Sequence, residues 1–413
     1  MQTRWSPESR WYRRATWVAA LVLFGLTYAL AVWWHRLGIF GPPLDYLFDS
    51  DTSSNLRAIS VGVPQYERSH PLFEACRIPV WLVSGPLSWI SGRPFEAVAR
   101  TVGLAVSPAA AAGALVVTHA LLERVGVHPQ AAFWLSLGFA TWNTNLVFST
   151  MPETYPLSRL LLTTALWAIA AGAIPRRPGA TWALGVGWTG VTVTNVAPYA
   201  AFLWARRATA DRRADEPWLT AWRRTLPREL LRALVILAST FGLRGLWLLL
   251  SQDVGGPPDY ILFYVANSLR RLASNFLQLV EMFTVSIVSP LPDISPWMGV
   301  TYRHSPSLEA VPLYLGGLLV VALCIRGLTR PELPDWLKAA CVLNTVYNLA
   351  LHTVFGIEGF LYTQHWATTT FLMLVPLMTR APRATVVVMV PVVILNLLNL
   401  YRIPMLLPVG LVQ

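Results

Sequence analysis

Two carboxylates stand two residues apart in the run Asp49-Ser50-Asp51, fifteen residues beyond the end of the first long apolar stretch at Trp34. That spacing lets both converge on one cation or one hydroxyl group. Oxygen ligands of this kind suit Mg²⁺ or Mn²⁺ if a divalent ion is used, which would make Asp49 and Asp51 its ligands. A carboxylate here can equally take the proton from an attacking hydroxyl. The plainer reading is that Asp51, ahead of Thr-Ser-Ser-Asn-Leu, caps a helix. Acidic groups beside a membrane surface point to chemistry on a lipid-linked substrate.

Three further segments carry chemistry-bearing residues. In Ser69-His70-Pro71-Leu72-Phe73, His70 can bind phosphate when charged or a sugar hydroxyl when neutral, or simply sit before a helix-starting proline. Glu153, in Met151-Pro152-Glu153-Thr154-Tyr155-Pro156, is either a third carboxylate for the same cleft or an acid favoured at a helix start. Tyr362-Thr363-Gln364-His365-Trp366 offers Tyr362 and His365, with His352 and Glu358 near in sequence. Trp366 also reads as an interface anchor. Guanidinium pairs two phosphate oxygens at once. Arg57, Arg68, Arg270 and Arg271 are therefore candidate phosphate ligands, with Arg77, Arg93 and Arg303 on the same side.

The elements that must position these groups are membrane helices. Of 413 residues, 54% are hydrophobic and only 13% charged, against about a quarter charged in soluble domains. Continuous apolar runs exclude the alternating pattern of a β-barrel. We expect an all-α polytopic membrane protein forming a single transmembrane domain over residues 1–413. About eleven spans are expected, at 15–34, 95–122, 129–148, 157–173, 179–193, 194–204, 230–250, 311–325, 336–355, 366–378 and 384–400. The net charge of +11 comes almost entirely from arginine in short loops, so topology rather than nucleic acid explains it. The three cysteines, Cys76, Cys324 and Cys341, have no metal or disulfide spacing.

Charge also decides one ambiguity. Read as one span, 179–204 would strand the arginines of 205–229 on the wrong side. Read as a short helical hairpin, it returns that basic loop to the cytoplasm. The outer face then holds 35–94, 251–310, 149–156 and 356–365. Within it, 79–90 and 276–288 read as helices lying in the membrane plane. Arg244 falls inside a span, where it must face the bundle or snorkel.

One span, an acidic outer loop, a His-Pro-Leu element and an interfacial helix, in that order, resemble GT-C-type integral membrane glycosyltransferases of the protein O-mannosyltransferase and aminoarabinose-transferase branch. The pieces that match are Asp49-Ser50-Asp51 and His70-Pro71-Leu72-Phe73. The stretch Gly185–Thr194 is similar to that family's Gly-rich segment, with Asn195 where lysine is usual. The resemblance covers residues 15–204 in element order. It implies a polyprenyl-phosphate sugar donor used on the outer membrane face, with a glycan, lipid or protein as acceptor; a single in-line displacement inverts the anomeric carbon, and the arginine-heavy composition points to a bacterial inner membrane. Asp49, Asp51 and Glu153 would then be catalytic. His70, Arg57, Arg68, Arg270, Arg271, Tyr362 and His365 would bind substrate. The rival readings are a transporter or lipid-linked-sugar flippase, marked by intramembrane charges and broken helices, and a noncatalytic subunit.

Overall fold

Many polar side chains lie inside this bundle beside its apolar core, and many large aliphatic ones face outward. Leu21, Leu315 and Val387 are 67%, 61% and 71% exposed, while Thr27, Thr144, Asn344 and Thr369 are fully buried. Water would not tolerate that surface, and lipid favours it. The computed structural model describes residues 7–40, 52–61, 70–174, 177–213, 215–251, 272–295, 299–302, 310–355, 360 and 363–406. Apart from one two-stranded ribbon, Asp293–Ser295 antiparallel to Gly299–Thr301, the regular structure among them is helical.

The helices are α1 (Pro7–Arg36), α2 (Thr52–Ser60), α3 (Arg77–Ser91), α4 (Phe95–Gly103), α5 (Val106–Arg124), α6 (Pro129–Ala140), α7 (Asn143–Ser149) and α8 (Tyr155–Ala170). They continue as α9 (Pro178–Val191), α10 (Val196–Ala210), α11 (Trp218–Ser251), α12 (Leu272–Ile287), α13 (Val311–Leu328), α14 (Asp335–Phe355), α15 (Thr363–Arg380) and α16 (Pro382–Leu406). Each of the eleven expected spans falls on helix. Five are long and apolar enough to cross a bilayer by length and composition: α1, the joined α4–α5, α11, α13 and α16. The others fall short for physical reasons. Helices α8, α9 and α10 have 16, 14 and 15 residues, against the roughly 20 that a bilayer core requires. The expected span 129–148 is two helices, broken where Trp142 takes extended geometry (φ −57°, ψ 145°).

Direct contacts gather the basic termini at one end of the bundle. Arg13 pairs with Glu123 (Nη2–Oε2 2.7 Å), tying the start of α1 to the end of α5. Arg124 donates to the carbonyls of Ala170 and Ala171 at the end of α8. Arg206 lies over the Trp336 ring, joining α10 to the start of α14. Arg380, ending α15, pairs with Glu332 ahead of α14. The hairpin reading of 179–204 therefore stands as geometry. Its basic follow-on segment reaches this end, although most of 205–229 is helix rather than loop.

Small residues make the hairpin possible. A Cβ on Gly185 would sit 2.7 Å from the Tyr199 ring, so only glycine lets α9 and α10 approach this closely. Tyr199 Oη donates to Thr181 O (2.7 Å), and Trp188 packs on Tyr199 and Phe202. Thr192 is extended (φ −150°, ψ 123°) and forms the turn.

The two expected in-plane helices differ in outcome. Helix α3 buries only Val80 and Ser84 and exposes Leu82, Trp89 and Ile90 at 72%, 85% and 72%, as a helix lying on lipid does. Helix α12 instead packs into the bundle: Leu279, Met282, Phe283 and Glu281 are buried. A Cβ on Gly317 of α13 would overlap the Val280 carbonyl.

Candidate functional site

The His-Pro-Leu element docks on the turn of the hairpin, at the end of the bundle opposite the basic termini. Leu72 N donates to Gly190 O (2.7 Å), and His70 Nδ1 lies 2.8 Å from Val191 O and 3.3 Å from Thr192 Oγ1. A ring nitrogen facing a carbonyl must carry the proton, so the neutral ring keeps its lone pair on Nε2. Helix α11 clamps the same element. Arg244 Nη1 donates to Pro71 O (3.3 Å) and Trp247 Nε1 to Glu74 Oε2 (3.2 Å). Arg244 thus faces the bundle, one of the two placements expected for a charge within a span. Arg77 stacks 4.4 Å from the centre of the Trp247 ring.

Gly190 is as constrained as Gly185. A Cβ there would meet Leu72 Cβ at 2.7 Å and Cδ1 at 2.6 Å. We expect Gly190→Ala to push His70 out of register at an overpacking cost of about 1–3 kcal/mol. The check is a paired measurement of thermal stability and of ligand protection at His70 by histidine modification. An unchanged modification rate would show that the docking tolerates the methyl group.

A second group approaches from α8, α14 and α15. His365, in the first turn of α15, is 7% exposed and lies within electrostatic reach of His70. Its ring meets Tyr155 edge-on at 5.6 Å and His352 at 5.3 Å. Asn344 Nδ2 donates to His365 O (2.8 Å) and fixes that turn. Glu153 is 3% exposed at the joint before α8. Thr154 N donates to Glu153 Oε2 (3.1 Å), and Ser107 Oγ accepts from Glu153 N (3.2 Å). Glu153 is thus held by the amide of Thr154, the residue just ahead of α8, two residues before the tyrosine that touches His365.

Below this group runs a polar seam. Gln364 Nε2 donates to Thr144 Oγ1 and Asn145 Oδ1, both at 3.0 Å. Asn143 Nδ2 donates to Val285 O (2.9 Å), and Asn396 Nδ2 to Thr141 O (2.9 Å) and Ile287 O (2.8 Å). The breaks at Trp142 and Ile287 thereby have their loose carbonyls satisfied, as backbone at membrane depth must. Other buried polar atoms are unmatched among the described residues: Gln364 Oε1 and Thr368 Oγ1 on α15, and Nε and Nη1 of Arg159 on α8. Arg159 is 3% exposed and lies one turn from Tyr155 on the same face of α8.

The structure thus brings His70, His365 and, through Tyr155, Glu153 to one end of the bundle. Arg57 is exposed on α2. Asp49, Asp51, Arg68, Arg270, Arg271 and Tyr362 lie outside the described residues, as do Arg303 and Glu358. The candidate metal ligands are therefore not described, and among the described residues no trio of His, Cys, Asp or Glu is placed to hold a metal. Burial pushes the Cys76 thiol, beside the His-Pro-Leu element, up to about 11, so it stays protonated at neutral pH. Sequence reasoning missed Arg159, Tyr155 and Asn344. A lone arginine inside the apolar run 157–173 is the one signal that could have found the first.

Between α3 and the end of α11 an apolar groove of about 280 Å³ opens next to the element, lined by Pro71, Leu72, Glu74, Ile78, Leu246 and Trp247. Fold and site together define a helical membrane-type bundle with a polar, histidine-bearing cluster at one end. Neither a protein-family model nor the sequence of a curated protein matches this chain.

Proposed function

We propose that the protein is a glycosyltransferase of the GT-C type, moving a sugar from a polyprenyl-phosphate donor to an acceptor at the end of the bundle opposite its basic termini. The observation that carries this reading is the placement of His70 within electrostatic reach of His365 at one end of the bundle, with an apolar groove directly beside Pro71 and Leu72. A lipid-linked sugar has that division: an isoprenoid tail for the groove and a phosphate for the histidines.

The chemistry asked of the residues is modest. The acceptor oxygen or nitrogen bonds to the anomeric carbon as the bond from that carbon to the phosphate oxygen breaks. The lipid phosphate leaves with the electron pair, and its charge is met by His70, His365 and an arginine of the same face. The acceptor's proton passes to a carboxylate, Asp49 or Asp51, with Glu153 orienting the acceptor or the sugar. One in-line displacement inverts the anomeric centre.

The deciding assay is release of polyprenyl phosphate from a panel of lipid-linked sugars by the full chain in nanodiscs, with and without Mn²⁺. Turnover with any donor supports the reading. Intact protein that turns over none sinks it. One specific observation favours the transporter or flippase alternative instead. Buried Arg159, the polar seam and the helix breaks are features that carry substrates through a bilayer. Movement of a labelled lipid-linked sugar between leaflets, without hydrolysis, would select it.

A further inference from the structure

We propose that the basic end of the bundle holds a second binding site, for a phosphate group, built from Arg206 and Arg232. It is independent of the glycosyl-transfer reading and lies at the other end of the molecule. The site is a cavity of about 190 Å³ lined by Gly172, Leu203, Arg206, Arg207, Asp211 and Arg232. The chain makes it by bringing the ends of α8 and α10 against the middle of α11. Helix α8 stops at Ala171 with Gly172 left-handed (φ 71°), a turn that glycine adopts at little cost. This leaves room beneath the last turn of α10 and the first half of α11.

The charges are unevenly matched. Arg207 Nε and Arg232 Nη1 both pair with one carboxylate, Glu229, at 2.6 Å and 3.0 Å. Glu229 is 1% exposed in its side chain and is consumed by these two contacts. Arg206 has no carboxylate contact among the described residues and lies against the Trp336 ring at 5.8 Å. Asp211 sits exposed at the rim, where its carbonyl accepts from Arg224. Three guanidiniums against two carboxylates leave one positive charge in excess. The carbonyl end of α8 would repel an anion, but Arg124 already caps it through Ala170 and Ala171.

Guanidinium groups with unused donors around a roofed cavity suit a phosphate ester, whose oxygens take paired N–H donors. The surroundings point to a lipid source. Trp204 and Trp222 pack 4.5 Å apart, tilted by 59°, and Arg206 of the cavity lies over Trp336; tryptophans gathered at the end of a bundle are what an aromatic interface belt contains. Leu203 and Ile174 supply an apolar floor for the glycerol carbons. Basic pockets at the arginine-rich end of a bundle meet anionic headgroups. A soluble phosphate ester carries the same chemistry, and the test separates the two.

The full chain, delipidated in a neutral detergent, is titrated with phosphatidylglycerol, with phosphatidylcholine, and with glycerol phosphate. Bound adducts are read by native mass spectrometry and protection by thermal unfolding. Phosphatidylglycerol is expected to bind and protect. Arg206→Gln should weaken it about tenfold, the scale of one charge-assisted hydrogen bond. Arg232→Gln should do likewise, and it leaves Glu229 paired with Arg207. Arg383→Gln, on the exposed first turn of α16, removes the same charge from the same end and should change nothing. Protection by glycerol phosphate alone, lost in Arg206→Gln, assigns the site to a soluble ester and keeps the phosphate claim. Equal binding by wild type and both cavity variants, or no preference for phosphatidylglycerol over phosphatidylcholine with no effect of glycerol phosphate, overturns it.

Discussion

Asp51→Asn is expected to lower donor turnover by roughly 10²–10⁴, the usual yield of a positioned general base, with the fold intact. Glu153→Gln should act differently, and the pair separates two roles that a static arrangement leaves entangled. Glu153 is buried and held by the Thr154 amide, a contact that a glutamine oxygen can keep. If Asp51 takes the acceptor's proton, the wild-type rate rises with pH through the carboxylate's titration, because only the ionised form accepts a proton. Asp51→Asn then loses that acidic limb along with the rate. If Glu153 orients the acceptor, Glu153→Gln keeps the limb and raises KM for the acceptor. Should Glu153→Gln abolish the limb while Asp51→Asn keeps it, the roles are exchanged. If both variants turn over at the wild-type rate, neither carboxylate belongs to the chemistry. These kinetic readings hold as free-energy differences, not as partitions among residues.

Why some of this was legible in the sequence and some was not follows from the range of the signals. Continuous apolar runs are local, so every expected span falls on helix. The arginines of 205–229 carry a charge bias strong enough to fold 179–204 back on itself, and Tyr199 reaching Thr181 is that hairpin in atomic form. Convergence across the chain has no local signature. Nothing within 69–73 says that His70 will come within electrostatic reach of His365, nearly 300 residues on, or that Leu72 will lie on Gly190. Hydropathy averages also hide breaks. The chain breaks at Trp142 with neither proline nor glycine at the break, because Asn145 and Asn396 donate to the freed carbonyls of Phe139 and Thr141. Asn195 departs from the lysine of the resembling family for a structural reason visible only in the fold. Its amide ties the hairpin turn to Ser158 Oγ (2.8 Å) and Trp188 O (3.1 Å).

Arg159→Met is expected to raise thermal stability in ligand-free protein while reducing function. Replacing buried ionic groups with apolar side chains of similar volume is often neutral or stabilising, by about 1–4 kcal/mol. Arg159 is a strong candidate for that gain, since it is 3% exposed and its Nε and Nη1 meet no acceptor among the described residues. A chain that keeps such a charge pays in stability for something the charge does. It lies one turn from Tyr155, which touches His365, on the same face of α8. If Arg159 meets the donor's phosphate, Arg159→Met loses donor affinity by tenfold or more, about the worth of one charged hydrogen bond. Arg159→Lys, which keeps the charge without the two-pronged donor, falls between. Thermal unfolding with and without polyprenyl phosphate reads both effects in one experiment. Stability that rises while ligand protection disappears identifies an anion anchor. Stability that falls by several kcal/mol in Arg159→Met means that the guanidinium is neutralised by an acid of the chain itself, because removing one partner of a buried pair strands the other. In that case the phosphate must be met by His70 and His365 alone.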